Sequence, residues 1–266
     1  QGYIVPASLY ALESNKPINQ SLIGSFNPAL LNRNSTYFKQ QASFPLYDAK
    51  GKLLQTTSTV TNQSSCVILD YNNQYVVAKA SLAVNSNIAY TSFESDGTGN
   101  WVINSALRDK TSAITGKASY NLTNGTITKT GLDAAVTYIV TFWLKSGSAT
   151  VGGSAATALT THNGWSLMTK TLTGITSLSI SGTGLIDELR LHPDYCNMET
   201  YTYEPNVGVT SGCDFNNTIV YNEYDNLNRL KLVRDADRNI IKRMDYTNSA
   251  TLVDSAQLWV GTGKVC

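Results

Sequence analysis

The chain has 266 residues, room for two domains, and 42% of them are apolar, enough for a sizeable core. Only 15% are charged, and 20 Lys and Arg stand against 19 Asp and Glu. That balance leaves no basic field for phosphate or anionic lipid, which excludes nucleic-acid partners. No stretch approaches the ~18 apolar residues of a membrane span, so membrane insertion is excluded as well.

Ser, Thr, Asn and Gly are abundant and there are fifteen tyrosines, a profile of short strands and tight turns. Residues 1 to about 45 carry Pro6, Pro17, Pro28 and Pro45 and few clean periods. From Phe44 the pattern turns strand-like, with FPLYDAKGKLLQTTSTV and CVILDYNNQYVVAKASLAV broken at Asp48–Gly51 and Asn72–Asn73. A polar break at Asn85–Asn87 closes this first unit, 1–87.

Residues 88–193 form a second unit: ASYNL, TITKTGL, TYIVTFWLK, WSLMTKTL, SLSISGT and LIDELRLH, separated by NG, SG, GG and TG turns. Short strands at this spacing predict a sandwich or barrel. A third unit, 194–266, returns to strand pairs on Asn- and Asp-rich turns: METYTYEP, TIVYNEYD, LNRLKLVRD and ADRNIIKRMDY. The fold class expected is therefore all-β.

Cys66, Cys196, Cys213 and Cys266 form no CxxC pair, so a zinc site has no support. Cys196 and Cys213 flank a hairpin; they are either a disulfide across it or two small buried thiols. Asn-x-Ser/Thr sequons stand at Asn19, Asn34, Asn62, Asn121, Asn124 and Asn216 and matter only in a eukaryotic secretory pathway.

Tyr224-Asp225-Asn226-Leu227-Asn228-Arg229-Leu230, with Asp235, Asn239 and Tyr246 beyond it, resembles the YD (Rhs-type) repeat, roughly YDxxGRLxxxxDxxGNxxxxxxY. A weaker copy is Tyr47-Asp48-Ala49-Lys50-Gly51-Lys52-Leu53, followed by Asp70-Tyr71 and Tyr75. Asn228 and Arg238 replace glycines of the pattern. Asn tolerates a left-handed turn, whereas Arg238 weakens its turn if φ must be positive. The resemblance implies secreted or surface β-structure and no chemistry.

Ala89-Tyr90-Thr91-Ser92-Phe93-Glu94, then Gly99-Asn100-Trp101, resembles the opening of family 4, 9 and 22-type carbohydrate-binding modules. Those modules close on a strand similar to Leu185-Ile186-Asp187-Glu188-Leu189-Arg190-Leu191. The resemblance implies a central jelly-roll β-sandwich, galactose-binding-like, flanked by YD-repeat-like β-hairpins. It also implies a structural calcium held by Glu94 and Asp187, the carbonyl of Ser92 and one near Lys117, which would suit a hard cation. The alternative for the two acids is ordinary pairing with Lys or Arg.

As catalytic carboxylates the same acids lack the cleft and the second acidic pair that glycoside hydrolysis needs, and no Gly-x-Ser-x-Gly elbow exists, so the chain reads as a non-enzyme. Sugar binding needs aromatic faces, for which the candidates are Trp101, Trp143, Trp165, Tyr120 and Tyr138. Strand alternation places Tyr138, Val140, Phe142 and Leu144 on the core side and Trp143 on the other. Trp143 is thus the leading stacking residue, with Tyr120 and Trp101 beside it; alternatively Trp143 packs under a loop or against the flank. Trp101 and Trp165 match positions that pack structurally in the family.

The expectation is a non-catalytic segment of a large protein, secreted or on the bacterial cell surface, whose jelly roll binds a glycan or serves adhesion. The alternatives are a structural spacer without sugar binding, or exported cargo of a secretion system with a secretion-system or surface-protein partner. Asp254-Ser255-Ala256 resembles the O-glycosylation acceptor of some surface-protein-rich bacteria.

Overall fold

The computed structural model describes residues 2–19, Ser21 and 37–247. Pro28, the sequon at Asn34, the Asp254–Ala256 triplet and Cys266 lie outside the described residues. No described helix is long and apolar enough to cross a membrane.

The chain first runs through β1 (Ser8–Leu12), β2 (Phe38–Tyr47), β3 (Leu53–Ser58), β4 (Ser64–Asp70) and β5 (Tyr75–Ser81). It then builds β6 (Ala89–Thr91), β7 (Arg108–Asp109), β8 (Ser119–Asn121), β9 (Ile127–Thr130), β10 (Tyr138–Lys145) and β11 (Ala149–Val151). β12 (Ser154–Ala155), β13 (Thr157–His162), β14 (Trp165–Leu172), β15 (Ser177–Gly182) and β16 (Leu185–Pro193) follow. The last five are β17 (Asn197–Glu204), β18 (Gly208–Cys213), β19 (Ile219–Tyr224), β20 (Leu230–Arg234) and β21 (Ile240–Arg243).

The first and last five strands form one ten-stranded antiparallel sheet in the order β1-β2-β3-β4-β5-β17-β18-β19-β20-β21. Its centre is the pairing of β5 with β17, where Met198 lies opposite Ala80 and Thr200 opposite Ala78. Strands 116 residues apart in sequence thus meet as if joined by a hairpin, and β6 to β16 occupy the place of the loop.

The inserted strands make a sandwich. A seven-stranded sheet runs β13-β14-β10-β16-β8-β7, with β6 paired to β16, and a four-stranded sheet runs β12-β11-β15-β9. Between them lies a core containing Tyr138, Val140, Phe142 and Leu144 of β10, Ile180 of β15 and Ile186, Leu189 and Leu191 of β16. This is the jelly-roll side that the alternation in β10 predicts.

The N-terminal segment is more regular than its prolines suggest. β1 forms the sheet edge and β2 begins at Phe38, six residues before Phe44. Pro45 is tolerated because the β2–β3 ladder is interrupted between Ser43 and Leu46, where no N–H is required. Strands β11 to β13 and β18 are additional to the sequence expectation; their Gly-, Ser- and Thr-rich segments give little alternation to read.

Four turns of the ten-stranded sheet share one design, led by Asp48, Asp214, Asp225 and Asp235. In each, the Asp Oδ1 accepts the N–H groups two and four residues on: Lys50 and Lys52, Asn216 and Thr218, Leu227 and Arg229, Asp237 and Asn239. The residue three positions after the Asp is left-handed: Gly51 (φ 78°), Asn217 (63°), Asn228 (59°) and Arg238 (69°). The Asp214 turn belongs to this set although nothing in the repeat pattern pointed to it.

Candidate functional site

The seven-stranded sheet has two faces, and its outer face meets the ten-stranded sheet. β16 is built for that meeting. Its ladder with β10 slips between Thr141 and Trp143, so that Trp143 lies opposite Asp187 and Thr141 opposite Arg190. The extra residue is Glu188, held left-handed at φ 52°. Such a bulge places two consecutive side chains on one side of a strand. Ile186, Leu189 and Leu191 keep their places in the sandwich core, while Asp187, Glu188 and Arg190 are buried outside that cluster.

Glu188 Oε1 accepts from the Tyr90 and Thr115 hydroxyls, each at 2.7 Å, and Oε2 accepts from Thr200 Oγ1 at 2.9 Å. The Arg190 guanidinium lies 3.6 Å from Glu188 Oε2 and donates to Thr200 Oγ1 at 2.5 Å, to the Asp214 carbonyl at 2.8 Å and to the Cys213 carbonyl at 3.2 Å. Thr200, Cys213 and Asp214 belong to the ten-stranded sheet or its turn, so this polar knot joins module to sheet. Only Arg190 Nε within it has no partner.

Beside the knot stand the predicted metal ligands. Asp187, fully buried, accepts from Ile114 N–H at 2.9 Å, Thr115 N–H at 3.1 Å and Glu188 N–H at 2.7 Å. Glu94 accepts from Lys117 N–H at 2.8 Å and Ala118 N–H at 2.6 Å. Its carboxylate fills the space where a Cβ at Gly116 (φ +57°) would stand, 2.2 Å from the Glu94 carboxyl carbon, so only glycine fits there.

Burial, together with the Glu188 charge, pushes Asp187 well above the usual carboxylate range despite its backbone donors. Burial raises Glu94 to about 7, and the Glu188 charge adds to the rise. These are three carboxylates that repel one another, and Arg190 faces only Glu188. Hard oxygen donors in mutual repulsion are what a divalent cation relieves. Yet among the described residues no three His, Cys, Asp or Glu side chains stand as a group that could hold a metal ion.

The predicted sugar platform is corrected by the structure. Trp143 does point away from the sandwich core, but it is 2% exposed and packs with Trp165 and Leu167 of β14 and with Cys213, Ile219 and Tyr221 of the ten-stranded sheet. Tyr120 is fully buried and stacks on Phe93 at 5.2 Å, and Trp101 is in the same core. None of the three presents a ring face to solvent. Strand alternation says which side a residue takes; it cannot say what covers that side.

The seam continues along β19 and the last turns. Tyr221 Oη donates to the Ile114 carbonyl at 2.8 Å, and Arg238 lies 3.3 Å over the Tyr221 ring while donating to the same carbonyl at 3.3 Å. Arg238 therefore accepts a left-handed backbone because its side chain docks on the module. The β13–β14 turn reaches the same region, with His162 Nδ1 2.6 Å from Asp237 Oδ1 and Asn163 Nδ2 donating to the Ala236 carbonyl at 3.0 Å.

The Cys196–Cys213 disulfide is not formed; Cys66, Cys196 and Cys213 are free and buried. Cys213 lies opposite Thr200 of β17, four positions on from Cys196, which stands just before that strand. Four residues of strand is about 13 Å, beyond the reach of a disulfide.

No protein-family model matches the sequence, and no curated protein matches it either. Among solved structures, a CBM22-1 xylan-binding domain from Paenibacillus barcinonensis is similar to 42% of this chain and 97% of its own length, at 16% identity and a TM-score of 0.30. At that score the likeness carries no functional argument; the all-β jelly-roll assignment rests on the strands and sheets themselves.

Proposed function

We propose that this chain is a non-catalytic architectural segment of a larger secreted or surface protein, in which the jelly roll braces a long β-sheet. The observation that carries this reading is Trp143, buried between the module and the ten-stranded sheet where an exposed platform would be needed for stacking. The four Asp turns support the repeat-like character of the flanks.

Module and sheet then unfold as one unit. Urea denaturation of the full chain, followed by tryptophan fluorescence and by far-UV circular dichroism, gives coincident single transitions. Two separated transitions overturn the proposal.

The acid cluster is proposed to take a calcium ion through Glu94 and Asp187, with carbonyls at Ser92 and near Lys117. Bound there, the ion would neutralise the clustered carboxylates and tie the first and last module strands together. EDTA then lowers the melting temperature and calcium restores it; a melt insensitive to both removes the metal.

A further inference from the structure

The module covers the central part of one face of the ten-stranded sheet, the side on which Met198, Thr200 and Thr202 of β17 are buried. Alternation sends Asn197, Glu199 and Tyr201 to the opposite face, where the first two are exposed and Tyr201 is half-buried. The strand register extends that row. Lys79 on β5 lies opposite Glu199, and Gly212 on β18 lies between Tyr201 and Val220 of β19.

Tyr201 is held in place by its neighbours. Its hydroxyl donates to Glu199 Oε2 at 2.6 Å, Lys79 Nζ is 5.6 Å from the ring centre, and the ring lies on Gly212, with 3.7 Å between a ring carbon and the place a Cβ would take. Two grooves open along the strip, and the Tyr201 ring lines the second of them. One, of about 310 Å³, has Ser65, Ser81 and Asn197 in its wall; the other, of about 280 Å³, has Thr218 and Val220. Glu199 borders both. From β4 to β19 the strip crosses four inter-strand spacings, about 19 Å.

We infer that this open face binds an extended neutral polysaccharide, with the Tyr201 ring as its stacking surface and the two grooves as its subsites. A fixed aromatic ring among hydroxyl, amide, ammonium and carboxylate groups offers apolar contact together with donors and acceptors for ring hydroxyls. The charge pattern selects among glycans. Lys79 faces Glu199, and Asp214 at the far groove adds a second carboxylate, so nothing here attracts an anionic chain. The site lies on the carrier sheet, and it stands or falls independently of the architectural role of the jelly roll.

The test is affinity electrophoresis of the full chain in gels containing hydroxyethylcellulose, glucomannan or, as the acidic counterpart, polygalacturonate. Retardation is expected in at least one neutral gel and in no acidic one. Tyr201→Ala weakens it about tenfold, the loss of one stacked aromatic contact, and Tyr201→Phe stays within about threefold of the parent. Val220→Arg fills the second groove and also weakens binding, with melting curves confirming that each variant is folded. Absence of retardation in both neutral gels, undiminished retardation in folded Tyr201→Ala, or preference for polygalacturonate overturns the inference. So does a concentration-dependent dimer, seen by sedimentation, that Tyr201→Ala abolishes, because the strip is then the seat of a second copy of this chain.

Discussion

Glu188 on the module and Thr200 on the ten-stranded sheet share a hydrogen bond of 2.9 Å, and both residues are sealed from water. The bond joins the last module strand to the first strand after it, and Arg190 reaches across to the same threonine. A buried carboxylate is tolerable only while its donors remain. The junction is therefore specific as well as apolar: sheet and module must meet in one register for Glu188 to be satisfied.

Thr200→Val removes a donor and keeps the shape. We expect about 1–3 kcal/mol of lost stability, the cost of an unmet buried acceptor. Arg190→Met strands Glu188 without its cation and costs more, about 3–5 kcal/mol. Urea midpoints measure both, and a near-neutral Arg190→Met variant would show the ion pair to be dispensable.

Trp143→Ala opens a void between β10 and β19 and should cost about 3–5 kcal/mol. Its retardation in polysaccharide gels stays at the parent's value under conditions where the variant is folded, since the ring faces protein on both sides.

Stability depends on pH with a sign set by burial. Glu94 is raised from 4.5 to about 7 in the folded protein, so the folded state binds the extra proton between those values. With calcium chelated, stability from this group is therefore greatest at low pH and falls as pH rises from about 4.5 to 7, by up to ~3 kcal/mol. Glu94→Gln removes that slope; a parent melting temperature that rises across the same interval would contradict the assignment.

The Asp turns act in the opposite direction. Hydrogen bonds from the Arg229 side chain and backbone hold Asp225 below its ordinary 3.8, and the Asn239 side chain does the same for Asp235. Their contribution is present above 3.8 and is lost as pH falls below it. Asp225→Ala should lower the melting temperature at pH 7 and leave it unchanged well below pH 3.8.

Arg238→Gly separates two effects. Glycine relieves the left-handed backbone, a gain of about 1 kcal/mol, and forfeits the stacking on Tyr221 and the bond to the Ile114 carbonyl, a loss of about 1–2 kcal/mol. The net change should stay within about 1 kcal/mol. Asn at 238 keeps the left-handed tolerance, loses the docking, and should be similar to Gly.

Local rules in the sequence determined much of this protein. Period-two alternation in β10 fixed which side Phe142 and Trp143 take, and the Asp-x-x-Gly or Asp-x-x-Asn spacing marks three of the four turns, because both depend on neighbours within a few residues. The jelly-roll strands from Ser119 to Pro193, β11 to β13 excepted, were legible for the same reason. What lies across a sheet is a matter of long-range contact, and only the tertiary structure decided it. The pairing of β5 with β17 turned two flanks into one sheet, and that sheet covered Trp143, made Arg238 a docking residue and parted Cys196 from Cys213. The bulge at Glu188 was hidden too, since a one-residue slip leaves no mark on the sequence of the bulged strand. Tyr201 escaped attention because half-exposure on a particular sheet face is a property of the assembled sheet: only the burial of its neighbours Thr200 and Thr202 beneath the module shows which side remains open.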